Sequence, residues 1–122
     1  MDHGPNPRLD LMQGTLDLLI LKALAWEPRH GYGIARWLEE TTDDALGVEE
    51  GSLYPALHRM AERGWVKAEW GRSENNRRAK YYSLTVEGRR QLGVEMSNWL
   101  RFVEAMGKVL EARPAVPLVA ER

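Results

Sequence analysis

The chain has 122 residues, no cysteine and a formal charge of −1, with 43% hydrophobic and 29% charged residues. This is enough for one globular domain whose small core would gain from being shared with a second copy. It excludes disulfides, thiolate metal sites, cysteine nucleophiles and global disorder, and no apolar run is long enough to span a membrane.

Residues 1–8 read as a polar, flexible tail without an apolar signal core, so the expected location is cytoplasmic. From Leu9 the sequence turns apolar. Leu16, Leu19, Ile20, Ala23 and Leu24 follow helical spacing, with Thr15 at the N-cap, Asp17 in the first turn and Pro28 as the stop. Whether residues 9–13 extend this helix or form an arm that clasps a partner is open. A second helix is expected over Tyr32–Glu40 with Ile34, Trp37 and Leu38 inward, then an acidic loop over Thr41–Gly47.

The third helix carries Leu53, Leu57 and Met60 as one buried stripe. With Ser52 as its cap, Pro55 falls in the first turn, where its missing N–H costs nothing; a start near Glu49 would make Pro55 distort that turn. Gly64 closes the helix in a left-handed conformation. Trp65–Trp70 and Lys80–Leu84 read as strands joined by the tip Gly71–Ala79, with Val66, Ala68 and Trp70 alternating with Trp65, Lys67 and Glu69. On the second strand Tyr82 and Leu84 face in, and Tyr81 and Ser83 out. Trp26, Trp37, Trp65 and Trp70 are expected to pack the domain.

Thr85 caps a long final helix in which Leu92, Met96, Trp99, Val103, Met106 and Leu110 recur at intervals of 4, 3, 4, 3 and 4. That is the seam of a coiled coil, closed by Pro114 and followed by a flexible tail over 113–122. The fold class is mainly α with a small β-hairpin. A winged helix-turn-helix domain over 9–85 would be joined to a C-terminal dimerisation helix over 86–112.

The charge is sorted along the chain. Residues 51–81 hold seven Lys and Arg against three Glu, whereas 39–50 hold six acidic residues and no basic one. A near-neutral protein sorted this way offers one face to a polyanion. The candidates for reading double-stranded DNA are Ser52, Tyr54, Pro55, His58 and Arg59 on the exposed side of the third helix. Those for gripping phosphates are Arg72, Arg77, Arg78 and Lys80 at the hairpin tip. Tyr32 joins the DNA set at the start of the second helix, and His30 is either an N-cap or a phosphate contact. The three histidines lack metal spacing, and no catalytic or nucleotide-binding motif is present, so neither enzyme activity nor a cofactor is expected.

HGYGI at His30–Ile34, GSLYPALHRM at Gly51–Met60, RRAKYYSLT at Arg77–Thr85 and Gly88 resemble the PadR family of bacterial transcriptional regulators. The resemblance covers roughly residues 9–110 and departs at Met60-Ala61, where the family usually has Leu-Glu. It implies a homodimeric winged-helix repressor on a palindromic operator, often released by phenolic acids, antibiotics or other small aromatic compounds. By that likeness Ser52, Tyr54 and Pro55 would face DNA, and Arg77 and Lys80 would serve the wing. The single terminal helix resembles the family's short branch, in which an aromatic at the place of Trp99 lines an apolar chamber between subunits. Met96, Trp99 and Val103 are therefore the candidate ligand site. The alternatives are a winged-helix protein-interaction module and a DNA-binding regulator without an effector.

Overall fold

The computed structural model describes residues 14–115, so the tail expected at 1–8, the reading of 9–13 as helix or arm, and the chain past 115 lie outside the described residues. The first helix, α1 (Leu16–Ala23), buries Ile20, Leu21 and Ala23. Thr15 stands at its N-cap but with helical dihedrals, and its side chain makes no cap hydrogen bond. The helix ends before Pro28 is reached. Two arginines serve the carbonyls where the chain leaves it: Arg29 Nε donates to the Ala23 carbonyl at 2.7 Å, and Arg89 Nη1 to that of Ala25 at 3.0 Å. Pro28 instead leads into a short strand, β1 (Arg29–His30), too brief to show any periodicity in sequence.

In α2 (Gly31–Thr41), His30 is the N-cap and its Nδ1 accepts from the Gly33 N–H at 2.9 Å. Ile34 and Leu38 are buried and Trp37 packs against the core. The next helix, α3 (Glu50–Glu62), has Glu49 at its N-cap, so Ser52 does not cap it and Pro55 lies inside it. Pro55 cannot donate to the Gly51 carbonyl, but Gly51 is exposed and water can serve that oxygen. At the other end Gly64 has φ +78°, the Trp65 N–H reaches the Met60 carbonyl at 3.0 Å and the Gly64 N–H that of Ala61 at 3.0 Å. This is the Schellman closure, and the expectation for Gly64 holds.

The sheet has the antiparallel order β1-β3-β2, where β2 is Val66–Arg72 and β3 is Arg78–Leu84. The register runs from Val66 opposite Leu84 to Arg72 opposite Arg78, longer than expected, so the tip shrinks to residues 73–77. There the Asn76 N–H donates to the Ser73 carbonyl at 2.8 Å, with Asn76 at φ +58°. Val66, Tyr82 and Leu84 are buried at the inner end of one hairpin face. Trp70, further out on that face, is 59% exposed, and Trp26, in the turn after α1, is 66% exposed. Of the four tryptophans expected to pack the domain, Trp37 and Trp65 do and these two do not. The outer hairpin extends past the buried core, and among the described residues the aromatic and cationic neighbours of the Trp26 ring are Trp37 and Lys22.

The long α4 (Val86–Glu111) starts at Thr85, whose Oγ1 accepts from the Gly88 N–H at 3.0 Å and donates to the Gly64 carbonyl at 2.6 Å. Gly88 is needed because the Trp65 carbonyl occupies the space a Cβ would fill. Leu92 is buried and Met96 packs against the core, but Leu100, Phe102, Val103, Met106 and Leu110 are exposed. With 26 residues the helix is about 39 Å long, and its second half carries an apolar face that none of the described residues covers.

Candidate nucleic-acid interface

The start of α2, the exposed side of α3 and the outer hairpin meet at an open groove of about 480 Å³. Its walls include Tyr32, Tyr54, Arg78 and Lys80 from the expected DNA set, together with His30, Trp70 and Glu74. Tyr54 reaches the groove because Gly31 has no side chain, and a Cβ there would collide with the Tyr54 ring. Tyr32 accepts from Arg36 Nη1 at 3.3 Å, and Arg36 also pairs with Glu40 at 2.7 Å. Behind the groove, burial and then the nearby Tyr54 push the Tyr82 phenol above its ordinary pKa.

The rest of the expected set is distributed differently. Ser52, Pro55 and His58 are exposed on α3 outside the groove, with His58 Nε2 3.3 Å from Glu62. Arg72 and Arg77 stand exposed at the tip, where Arg72 Nη1 donates to the Asn76 carbonyl at 3.2 Å. Arg59 is turned the other way, its guanidinium paired with Asp17 of α1 at 2.5 Å.

His30 fills the N-cap role the sequence offered it and gains a partner in the wing, and Trp70 gains a part that strand alternation did not give it. His30 serves the α2 cap through Nδ1, which leaves its proton on Nε2, 3.3 Å from Glu74 Oε1. The Glu74 carboxyl is held below its ordinary range, first by a backbone hydrogen bond at Glu74 and then by the bond from His30. Trp70 lies under the Arg78 guanidinium, 4.3 Å from ring centroid to Cζ, with Lys80 Nζ at 5.8 Å. The signal for this was the register: once Arg72 is opposite Arg78, Trp70 is opposite Lys80 and shares its face.

Away from the groove, Trp99 is flanked by two shallow depressions between α1 and α4. One of about 260 Å³ includes Leu18, Asn98 and Phe102, and one of about 220 Å³ includes Leu19, Met96 and Leu100. Met96 and Trp99 thus come together, whereas Val103 lines neither. Among the described residues no group of His, Asp and Glu could hold a metal ion, and no helix is long and apolar enough to cross a membrane.

Three short helices with a basic two-stranded wing beside the third, and a long helix leaving the far side, define a winged helix-turn-helix regulator that binds DNA. The chain matches the PadR-like transcriptional regulator family over residues 20–94 and belongs to it. It is similar to a PadR family transcription regulator from Clostridium difficile, 31% identical over 80% of this chain and 99% of that one, with TM-score 0.69. It is also similar to one from Eggerthella lenta, 33% identical over 83% and 86% of the two chains, with TM-score 0.70. An uncharacterised protein of Lysinibacillus sphaericus is 26% identical over 104 residues, 85% of this chain and 95% of that protein. Membership makes the chain a transcriptional regulator rather than an enzyme, and the reading as a protein-interaction module gives way to DNA binding.

Proposed function

We propose that the protein is a homodimeric repressor that binds a palindromic operator and is released by a small aromatic ligand beside Trp99. The observation that carries the dimer is the outer α4 face. Val103, Met106 and Leu110 are 46, 42 and 75% exposed, continuing the seam past the point where this chain's own core ends. A second copy pairing along that face would set two reading helices on one side of the assembly. To use successive major grooves they must lie roughly 34 Å apart. Ser52, Pro55 and His58 would then meet base edges while Arg72, Arg77, Arg78 and Lys80 hold phosphates on the flank.

The ligand site rests on Met96 and Trp99, which sit where α1 of the reading domain touches the pairing helix. A flat aromatic compound wedged there would change the angle between the two domains. It would shift DNA affinity only to the extent that it binds the two arrangements differently. Selection of bound duplexes from a random pool tests the reading directly. The expected result is inverted half-sites about one turn apart, with affinity falling steeply as salt rises. Asymmetric single sites would sink the dimeric operator model. For the ligand, aromatic compounds should quench the wild-type chain but not Trp99→Phe, and should weaken operator binding. If none does, a regulator without an effector is left.

A further inference from the structure

Trp70 was expected in the core and is instead the largest exposed side chain of the groove wall. Its position follows from the hairpin register. The face that holds Val66, Tyr82 and Leu84 in the core continues outward into Trp70, Lys80, Arg72 and Arg78. An indole there adds no core packing, yet it has two cations over its ring, Arg78 at 4.3 Å and Lys80 at 5.8 Å. Across the groove stand Tyr32 and Tyr54, 56 and 43% exposed. Among the described residues Glu74 is the one carboxylate lining the groove, and it accepts a hydrogen bond from His30. What remains is a strip of aromatic faces and unneutralised positive charge, open on one side. An apolar ligand would leave the cations bare, and an acidic chain would leave the rings bare.

The sugar-phosphate edge of duplex DNA offers both an anionic and an apolar surface. We propose that Trp70 is a DNA-contact residue of the wing. Its indole packs against a deoxyribose of the strand that borders the major groove entered by α3, and Arg78 and Lys80 reach the adjacent phosphates. The Arg78 guanidinium lies over the ring, which restricts its position before DNA arrives. Because the sugar is the same for every base, the contact adds affinity without sequence preference. The inference rests on the groove being the DNA-facing side of the domain.

The test measures duplex binding by wild type, Trp70→Ala and Trp70→Phe across a salt series, together with tryptophan emission. Trp70→Ala should bind operator and random duplex alike about tenfold more weakly. It should change the salt dependence less than Arg78→Ala, which removes a charge and lowers the slope by about one. Trp70→Phe, which keeps a ring on the wing, should recover most of the affinity. DNA should quench the wild-type emission. That quench should be lost in Trp70→Phe and kept in Trp26→Phe, which removes the exposed tryptophan outside the groove. If the wild type binds duplex while Trp70→Ala binds within twofold of it and Trp70→Phe keeps the quench, the contact is overturned alone. A wild-type chain that binds no duplex overturns the DNA-facing groove and the contact together.

Discussion

The ring of Tyr54 lies against the backbone of Gly31, filling the place where any other residue would carry its Cβ. The first residue of α2 thereby sets the direction of a side chain on α3. Gly31→Ala is expected to push the Tyr54 ring out of its seat. Tyr54 is the exposed end of a flexible side chain, so the fold should tolerate the shift. Alanine is also the better helix residue, by no more than about 1 kcal/mol. The expected outcome is an unchanged or slightly higher melting temperature with reduced discrimination between operator and random duplex. Equal discrimination would mean that the seat of Tyr54 does not matter to reading.

Arg59 and Tyr54 share a helix but differ in what holds them. Arg59 is paired with Asp17, 42 residues earlier, and links α3 to α1. Arg59→Ala should therefore cost stability, about 1 kcal/mol or less because the pair is partly exposed. It should leave sequence discrimination closer to wild type than Tyr54→Ala does. Urea unfolding and competition binding on the two variants separate these effects. A larger loss of discrimination for Arg59→Ala would show that the arginine leaves Asp17 for a base.

Gly88 packs the first turn of α4 onto the Trp65 carbonyl, and here the obstacle is backbone rather than a movable side chain. Gly88→Ala should force the long helix away from the hairpin and cost about 2–3 kcal/mol in urea unfolding. Gly93, on the same helix with open space around it, is the control. Gly93→Ala should stabilise by up to about 1 kcal/mol.

What spacing could carry, the sequence made legible. The stripe Leu53, Leu57 and Met60, the closure at Gly64 and the period of α4 all rest on local periodicity or on one residue's backbone freedom. The start of α3 was not legible, because Ser52 before Pro55 is the better local N-terminus and Glu49 offers no side-chain cap. Nor were the partners of His30 and Arg59, which lie 44 and 42 residues away and depend on how the helices stack. Trp70 was misplaced for a related reason. Alternation assigns a residue to a face of a strand but does not say where along that face the core ends.

The bond between His30 and Glu74 ties the wing tip to the start of α2 and should show in the pH dependence of stability. The folded-state carboxyl of Glu74 lies below its ordinary range, through its backbone hydrogen bond first, then His30, with a weaker pull from Arg36. A depressed carboxylate contributes stability above its unfolded pKa and loses that contribution as pH falls through its folded value. Wild type should therefore be slightly more stable than Glu74→Gln at neutral pH, with the gap closing below the ordinary glutamate pKa of about 4.3. Thermal melts of both chains between pH 3 and 7 check this. A gap that is constant with pH would mean the carboxylate contributes nothing through its charge.

The outer face of α4 supplies the test of assembly. Met106 is 42% exposed and lies on the stripe that begins in the core at Leu92. Two-fold pairing would bury it twice, so one substitution acts at two places. Burying a whole side chain of this size is worth about 1.5–3 kcal/mol, and with 42% of Met106 left to bury in each copy, Met106→Glu should weaken a dimer by about 1–2.5 kcal/mol before the cost of desolvating the new charge. At 1.4 kcal/mol per tenfold, that is about tenfold or more in the dimer constant, to which the desolvation cost adds. The folded domain should survive, because Met106 touches none of the core around Ile20, Leu57 and Met60. Wild type is expected to sediment as a dimer and Met106→Glu as a folded monomer, with operator affinity falling toward that of a single half-site. A variant that still sediments as a dimer would place the interface on some other face of the chain.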